Sequence, residues 1–254
     1  MPTETGPEMP ATTASGATAT SAASWASGAS GDDRLDDLAR RALGLVRPGS
    51  RVILGIAGSP GAGKTTLAID LARRVNALSA RDGGPGAPFA AHLPMDGYHL
   101  ANSTLDRLGR HDRKGAIDTF DGWGFVALLR RLRDELDHPV YAPSFDRTVE
   151  EPIAAELVVE PETRLVIVEG NYLLVDDGPW ASVKGMLAEA WFCETSDAER
   201  LRRLVVRHEL GGRSHEAAKA WAETVDGKNA VLIESTAPRA DLIVSGVTAA
   251  VLTP

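Results

Sequence analysis

The segment Gly58-Ser59-Pro60-Gly61-Ala62-Gly63-Lys64-Thr65 fits the pattern G-x-x-x-x-G-K-[ST]. Its glycines let backbone N–H groups converge on phosphate oxygens, and a helix beginning at its end adds a favourable dipole. Lys64 supplies a mobile cation and Thr65 a hydroxyl suited to Mg²⁺. Glu169 directly follows the apolar run Leu165-Val166-Ile167-Val168, which places a carboxylate where it can hold the Mg²⁺ shell or a substrate hydroxyl. Asp96 follows a second apolar stretch, where a carboxylate can take the proton of an attacking hydroxyl or orient it. Asp96-Gly97 is equally a common turn pair. Tyr98 and His99 come next and can shape a pocket, although a surface histidine accounts for His99 as well.

These groups need elements to position them. Asp33 can cap a short helix carrying Leu35, Leu38, Ala42 and Leu45, which Pro48 stops. The β-branched run 51–57 reads as a strand ending in the glycine-rich turn, and Leu67, Leu71, Val75 and Leu78 follow at helical spacing. Gly83-Gly84-Pro85-Gly86 breaks the chain before a strand over 89–93. Phe125, Leu128, Leu129, Leu132 and Leu136 form one face of a crossover helix. The run 165–168 is apolar on consecutive positions, as in a strand covered on both faces, and 188–193 and 241–244 are weaker strands of that kind. Ser196 with Glu199 makes a capping-box signal, and Ser214 can cap a helix running toward Trp221. Strands alternating with helices predict an α/β fold with a mostly parallel sheet of about five strands, ligands lying at the strands' carboxyl ends.

Other basic residues are less specific. Arg200, Arg203 and Arg207 lie at i, i+3 and i+7 on one helix face, either a solvated stripe or a lid that meets a triphosphate. Arg113-Lys114-Gly115 and Asp146-Arg147 are further basic points.

Composition narrows the class. The chain has 254 residues, 43% apolar and 24% charged, with one cysteine, as in a soluble globular protein. Of the first 31 residues, 26 are Ala, Thr, Ser, Gly or Pro and none is Lys or Arg, so residues 1–31 read as a disordered tail and 32–254 as one domain. Cys193 lies in the run Ala190-Trp191-Phe192 and reads as a buried strand residue, outside any disulfide or multi-cysteine zinc site. A net charge of −8 argues against nucleic acid as partner. The amino terminus has no signal-peptide pattern and no stretch approaches a membrane span, so a cytoplasmic location is expected.

From about Val52 to Val244 the chain resembles the phosphoribulokinase and uridine kinase family of P-loop kinases, which also holds bacterial pantothenate kinase. The likeness is carried by GSPGAGKTT at Gly58 to Thr66, PMDGYHL at Pro94 to Leu100, RKGAIDTFD at Arg113 to Asp121, YAPSFDR at Tyr141 to Arg147, VEGNYLL at Val168 to Leu174 and RLRRLVVRH at Arg200 to His208. The resemblance implies a P-loop three-layer sandwich with a helical lid, and an ATP- and Mg²⁺-dependent kinase acting on a hydroxyl of a small metabolite, foremost a nucleoside, with pantothenate or a sugar as alternatives. It implies that Gly58, Ser59, Pro60, Gly61, Ala62, Gly63, Lys64, Thr65 and Thr66 hold ATP and that Thr65 and Glu169 serve the metal. Asp96 matches the catalytic aspartate, and Arg203 and Arg207 match lid arginines at the transferred phosphoryl. Tyr98, His99, Arg113, Lys114, Tyr141 and Arg147 fall in segments that surround the acceptor. Many relatives are dimers, so a homodimer is compatible with the resemblance. Ile117, Asp118 and Tyr98 depart from the family pattern on the acceptor side.

The rival functions differ in what they require. A regulatory GTPase would carry Asn-Lys-x-Asp, and Val225-Asp226-Gly227-Lys228-Asn229 has the wrong order. A transporter ATPase would carry a signature that Glu209-Leu210-Gly211-Gly212-Arg213 matches only superficially. A catalytically silent ATP-binding regulator would keep the fold without transfer; Asp96, Glu169 and the lid arginines argue against it.

Overall fold

The computed structural model describes residues 31–81 and 88–253. The low-complexity stretch 1–30 and the Gly83–Gly86 break lie outside the described residues. The elements, in order, are α1 (Gly31–Gly44), β1 (Val52–Ala57), α2 (Lys64–Arg81), β2 (Ala90–Pro94), α3 (Asn102–Leu108), α4 (Gly122–Asp134), β3 (Val140–Asp146), β4 (Glu151–Val159), β5 (Leu165–Glu169), β6 (Glu189–Glu194), α5 (Asp197–Leu210), α6 (His215–Trp221), α7 (Gly227–Glu234), β7 (Leu242–Ser245) and β8 (Val251–Thr253).

The main sheet runs β2-β5-β1-β6-β7-β8, parallel except for β8, which pairs antiparallel with β7. All of β5 is buried because helices cover both faces. Alternation then divides its side chains: Val166 and Val168 join Phe125, Leu129 and Trp180 on one side, while Leu165 and Ile167 join Leu38, Leu71 and Trp191 on the other. Full burial of each such side chain contributes roughly 1.5–3 kcal/mol. Register makes this core functional. Ile56 of β1 and Pro94 of β2 both pair with Glu169 of β5, so the phosphate loop, the Asp96 turn and Glu169 leave the sheet at one edge.

The expected, mostly parallel sheet of about five strands is present, with two additions. The short β8 adds a sixth strand, and β3 with β4 forms a separate antiparallel hairpin. The β3–β4 register shifts between Ala142 and Ser144, at Pro143, which has no N–H to give to a ladder. That irregular point seats the hairpin on the turn Met95–Tyr98: a Cβ at Gly97 would fall 2.2 Å from the Pro143 carbonyl oxygen, so only glycine allows the approach.

Caps divide similarly. Ser214 accepts from the Ala217 amide at 3.3 Å, as its position predicts, and Asp121 caps α4 by accepting from Gly124. The capping box on α5 does not form: Ser196 makes no side-chain cap bond, and Glu199 is held by Arg202 and Arg203 one turn on. Charged partners at i+3 and i+4 outcompete a backbone amide for that carboxylate. Asp33 sits within the first described turn of α1 rather than ahead of it.

Candidate active site

The loop after β1 has the backbone that phosphate binding requires. Gly58, Gly61 and Gly63 have φ of 146°, 78° and 103°. Space forbids side chains there as well, since a Cβ would meet the carbonyl oxygens of Cys193 at 2.5 Å, Arg200 at 2.9 Å and Gly246 at 2.6 Å. Helix α2 begins at Lys64, so its free N–H groups face the loop. The buried Lys64 ammonium donates to the Ser59 carbonyl at 3.1 Å. Burial lowers its pKa, against the opposing pull of Glu169, Cys193 and Asp96.

Thr65 Oγ1 donates to Glu169 Oε1 at 2.9 Å, and His92 Nε2 lies 3.8 Å from the same oxygen, buried and without a hydrogen-bond partner. Two hard oxygen donors at the phosphate loop fit Mg²⁺, which takes its remaining ligands from phosphates and water. An orphaned imidazole nitrogen at their edge is what an outer partner of such a shell looks like.

These groups open into a cleft of about 1040 Å³, whose walls include Pro60, Lys64, Thr65, Asp96, His99, Lys114, Arg147, Glu169 and Arg207. Thr66 and Gly63 face a second hollow of about 660 Å³ beside α1. Arg147 Nη2 donates to Asp96 Oδ2 at 3.0 Å. Burial alone would raise the Asp96 carboxyl, but His99, Arg147, Lys64 and Arg207 outweigh it and hold it below the usual carboxylate range. His99 Nδ1 lies 2.8 Å from the Asp96 carbonyl, which fixes the proton on that nitrogen, and the ring sits 4.0 Å from Phe120 and 4.7 Å from Phe145 between centroids. Burial pushes its pKa down.

The arginine stripe on α5 divides by function. Arg207 reaches the cleft, with Asp226 Oδ1 4.0 Å from its Nη2. Arg203 instead donates to the carbonyls of Gly61, Ala62 and Gly246, each at 3.3 Å, and Arg200 is buried, donating to Pro60 O at 3.1 Å and Glu234 Oε1 at 2.7 Å. Both brace the phosphate loop from behind. The structure thus places the Arg203 guanidinium on loop carbonyls, outside the lining of the cleft. Three residues expected on the acceptor side lie elsewhere in the structure. Tyr98 packs against Phe125 at 5.4 Å, Arg113 pairs with Asp118 at 2.7 Å, and Tyr141 is 56% exposed; none of the three lines the cleft. Lys114 does, donating to Asn102 Oδ1 at 2.6 Å and to the Glu150 carbonyl.

Several residues escaped the sequence reading. Asn171 and His208 line the cleft from within motifs quoted for the family resemblance. His208 Nε2 meets Asp226 Oδ2 at 2.8 Å, and Asp226 stands in a π-helical turn, Ala222–Asp226, that nothing in the apolar spacing announces. Asn229 Nδ2 and Tyr172 Oη both donate to Gly115 O, at 3.2 and 2.6 Å, fixing the loop that carries Lys114. His92 sits inside an apolar strand, where a ring and a ligand partner read alike.

No family model matches the chain. It is 31% identical over 214 residues to the Schizosaccharomyces pombe protein named "Putative uridine kinase C227.14", covering 82% of this chain and 88% of that protein. It is 35% identical over 209 residues to Escherichia coli YggC, covering 80% and 81%. Among solved structures, one from Silicibacter sp. TM1040, described as a putative fructose transport system kinase, superposes with a TM-score of 0.73 at 36% identity, covering 82% of this chain and 98% of that one. With these relatives spanning most of its length, the chain belongs to the phosphoribulokinase/uridine kinase-like family of P-loop kinases and is an ATP-dependent phosphotransferase.

Proposed function

We propose that the chain transfers the γ-phosphoryl of ATP, with Mg²⁺, to a hydroxyl of a small polar metabolite of the sugar or sugar-acid kind. The observation that carries this reading is the placement of Asp96 in one cleft with Lys64, Thr65, Glu169 and Arg207. Asp96 accepts the hydrogen bond of the acceptor hydroxyl and aligns its oxygen in line with the γ-phosphorus. The acceptor oxygen bonds to that phosphorus as the bond to the ADP oxygen breaks, and the hydroxyl proton leaves through Asp96. Lys64 and Arg207 offset the charge on the phosphoryl oxygens. Thr65 and Glu169 would hold the metal, which supplies further neutralisation of phosphate charge when bound.

A nucleoside acceptor is the second reading, favoured by the name of the S. pombe relative. A base needs an open aromatic face, and the two largest rings lining the cleft are already covered, Phe145 by Lys114 at 5.2 Å and Trp221 by Arg213 at 4.0 Å. The smaller, more polar acceptor therefore fits better.

The test is ADP release from ATP and Mg²⁺ across sugars, sugar acids, nucleosides and pantothenate. Acceptor-dependent release that falls about a hundredfold or more in Asp96→Asn, with ATP affinity unchanged, is the expected result. Normal turnover by that variant would remove Asp96 from the mechanism, and ATP binding without release for any acceptor would favour a silent regulator.

A further inference from the structure

The carboxylate on which acceptor alignment depends is already held by a cation. Arg147 Nη2 donates to Asp96 Oδ2 at 3.0 Å, from a hairpin that the Gly97–Pro143 approach seats directly on the Asp96 turn. The transferred phosphoryl does not need this guanidinium, because Lys64 faces it from the loop and Arg207 from α5. Lys114 lines the same side, its ammonium bonded to the neutral oxygens of Asn102 and of the Glu150 backbone, with the Glu150 and Glu151 carboxylates close enough to be felt. The Glu151 carboxylate itself accepts from the Asn102 backbone N–H at 3.0 Å. Beyond Lys64 and Arg207, the cleft thus presents Arg147 and Lys114 on the acceptor side, with Glu150 beside Lys114, while Arg213 is stacked on Trp221.

We infer that the acceptor carries an anionic group, a carboxylate or a phosphate monoester, which takes Arg147 from Asp96 and so frees the second carboxylate oxygen for the reacting hydroxyl. A neutral polyol offers a guanidinium nothing of comparable strength, whereas a carboxylate or phosphate accepts two parallel N–H bonds from it. Discrimination follows from the exchange. An acceptor lacking the anion must compete with an ion pair for Asp96, so the site works against neutral analogues as well as for charged ones. Arg147 is then a specificity-determining residue. This inference rests on the kinase reading above and specifies its acceptor.

Two measurements on the full chain test it. In the first, orthophosphate and acetate are titrated into protein saturated with AMP-PNP and Mg²⁺, so that the phosphate loop is filled. Binding of either, weakened about tenfold or more in Arg147→Gln and partly kept in Arg147→Lys, supports the inference and shows which anion is preferred. No binding of either, or binding indifferent to Arg147, overturns it. In the second, ADP release is compared for matched acceptors: glycerol with glycerate and glycerol 3-phosphate, ribose with ribonate and ribose 5-phosphate. The anionic member should be preferred by about a hundredfold in kcat/KM, and Arg147→Gln should erase that preference while leaving the KM for ATP in place. Equal use of neutral members overturns the inference while the kinase reading stands. A raised KM for ATP in Arg147→Gln, with all acceptors slowed alike, assigns Arg147 to the γ-phosphate and also overturns it. Absence of release with every acceptor counts against the kinase reading, and the anion titration still decides the role of Arg147.

Discussion

Thr65 and Glu169, 104 positions apart, share a 2.9 Å hydrogen bond across the edge of the sheet, and His92 waits beside the accepting oxygen without a partner. The β5 register fixes this pairing, because Glu169 stands level with Ile56 and Pro94. Glu169→Gln should raise the Mg²⁺ concentration for half-maximal turnover roughly ten- to hundredfold, and His92→Phe should shift it in the same direction by less. Titration of Mg²⁺ at saturating ATP reads both; an unchanged midpoint in Glu169→Gln would place the metal elsewhere.

Arg203 and Arg200 hold the loop by its carbonyls. Removing Arg203 leaves the oxygens of Gly61, Ala62 and Gly246 without that donor, so Arg203→Ala should cost about 1–3 kcal/mol of stability and raise the KM for ATP. Denaturant unfolding beside steady-state kinetics separates this from a catalytic role, which would lower kcat and leave stability intact.

Gly97 is confined by backbone. A methyl there meets the Pro143 carbonyl at 2.2 Å, so Gly97→Ala must push the hairpin away from the Asp96 turn. The expected cost is about 1–3 kcal/mol, with acceptor turnover reduced and nucleotide binding retained. Calorimetric ATP titration of the variant checks the split: a loss of ATP binding equal to the loss of turnover would contradict it.

Burial holds the His99 pKa below its ordinary 6.5, so the unfolded chain takes up that proton first as the solution is acidified. Stability from this group is complete above pH 6.5 and declines as pH falls toward the folded value. Asp96, also depressed, adds a loss of the same sign only below 3.8. The Tm of the wild type should therefore fall more steeply than that of His99→Gln between about pH 6.5 and 5; parallel curves would rule the group out.

Much of this site was legible because its signals are local. The glycines before Lys64, the apolar run before Glu169 and the break after Leu93 each announce a strand end, and strand ends in a parallel sheet converge. The β3–β4 hairpin was not legible, since Pro143 interrupts its first strand and the paired charges Glu150 and Glu151 read as loop. Helical spacing placed Arg200, Arg203 and Arg207 on one face, but it cannot say what faces them; two met carbonyls of the phosphate loop and one met the cleft. Tyr141 shows the converse, a residue in a motif whose side chain the hairpin turns to solvent.

The π-helical turn at Ala222–Asp226 sets the phase of helix α7. Asp226 reaches His208 on α5, and Asn229, three positions on, reaches Gly115 beside Lys114. Both contacts depend on the wider turn, since a segment one residue shorter and α-helical throughout would rotate α7 by about 100°. The wider turn thus lets one short stretch of chain touch the arginine helix and the acceptor loop together, so that a shift of α7 would move both contacts at once.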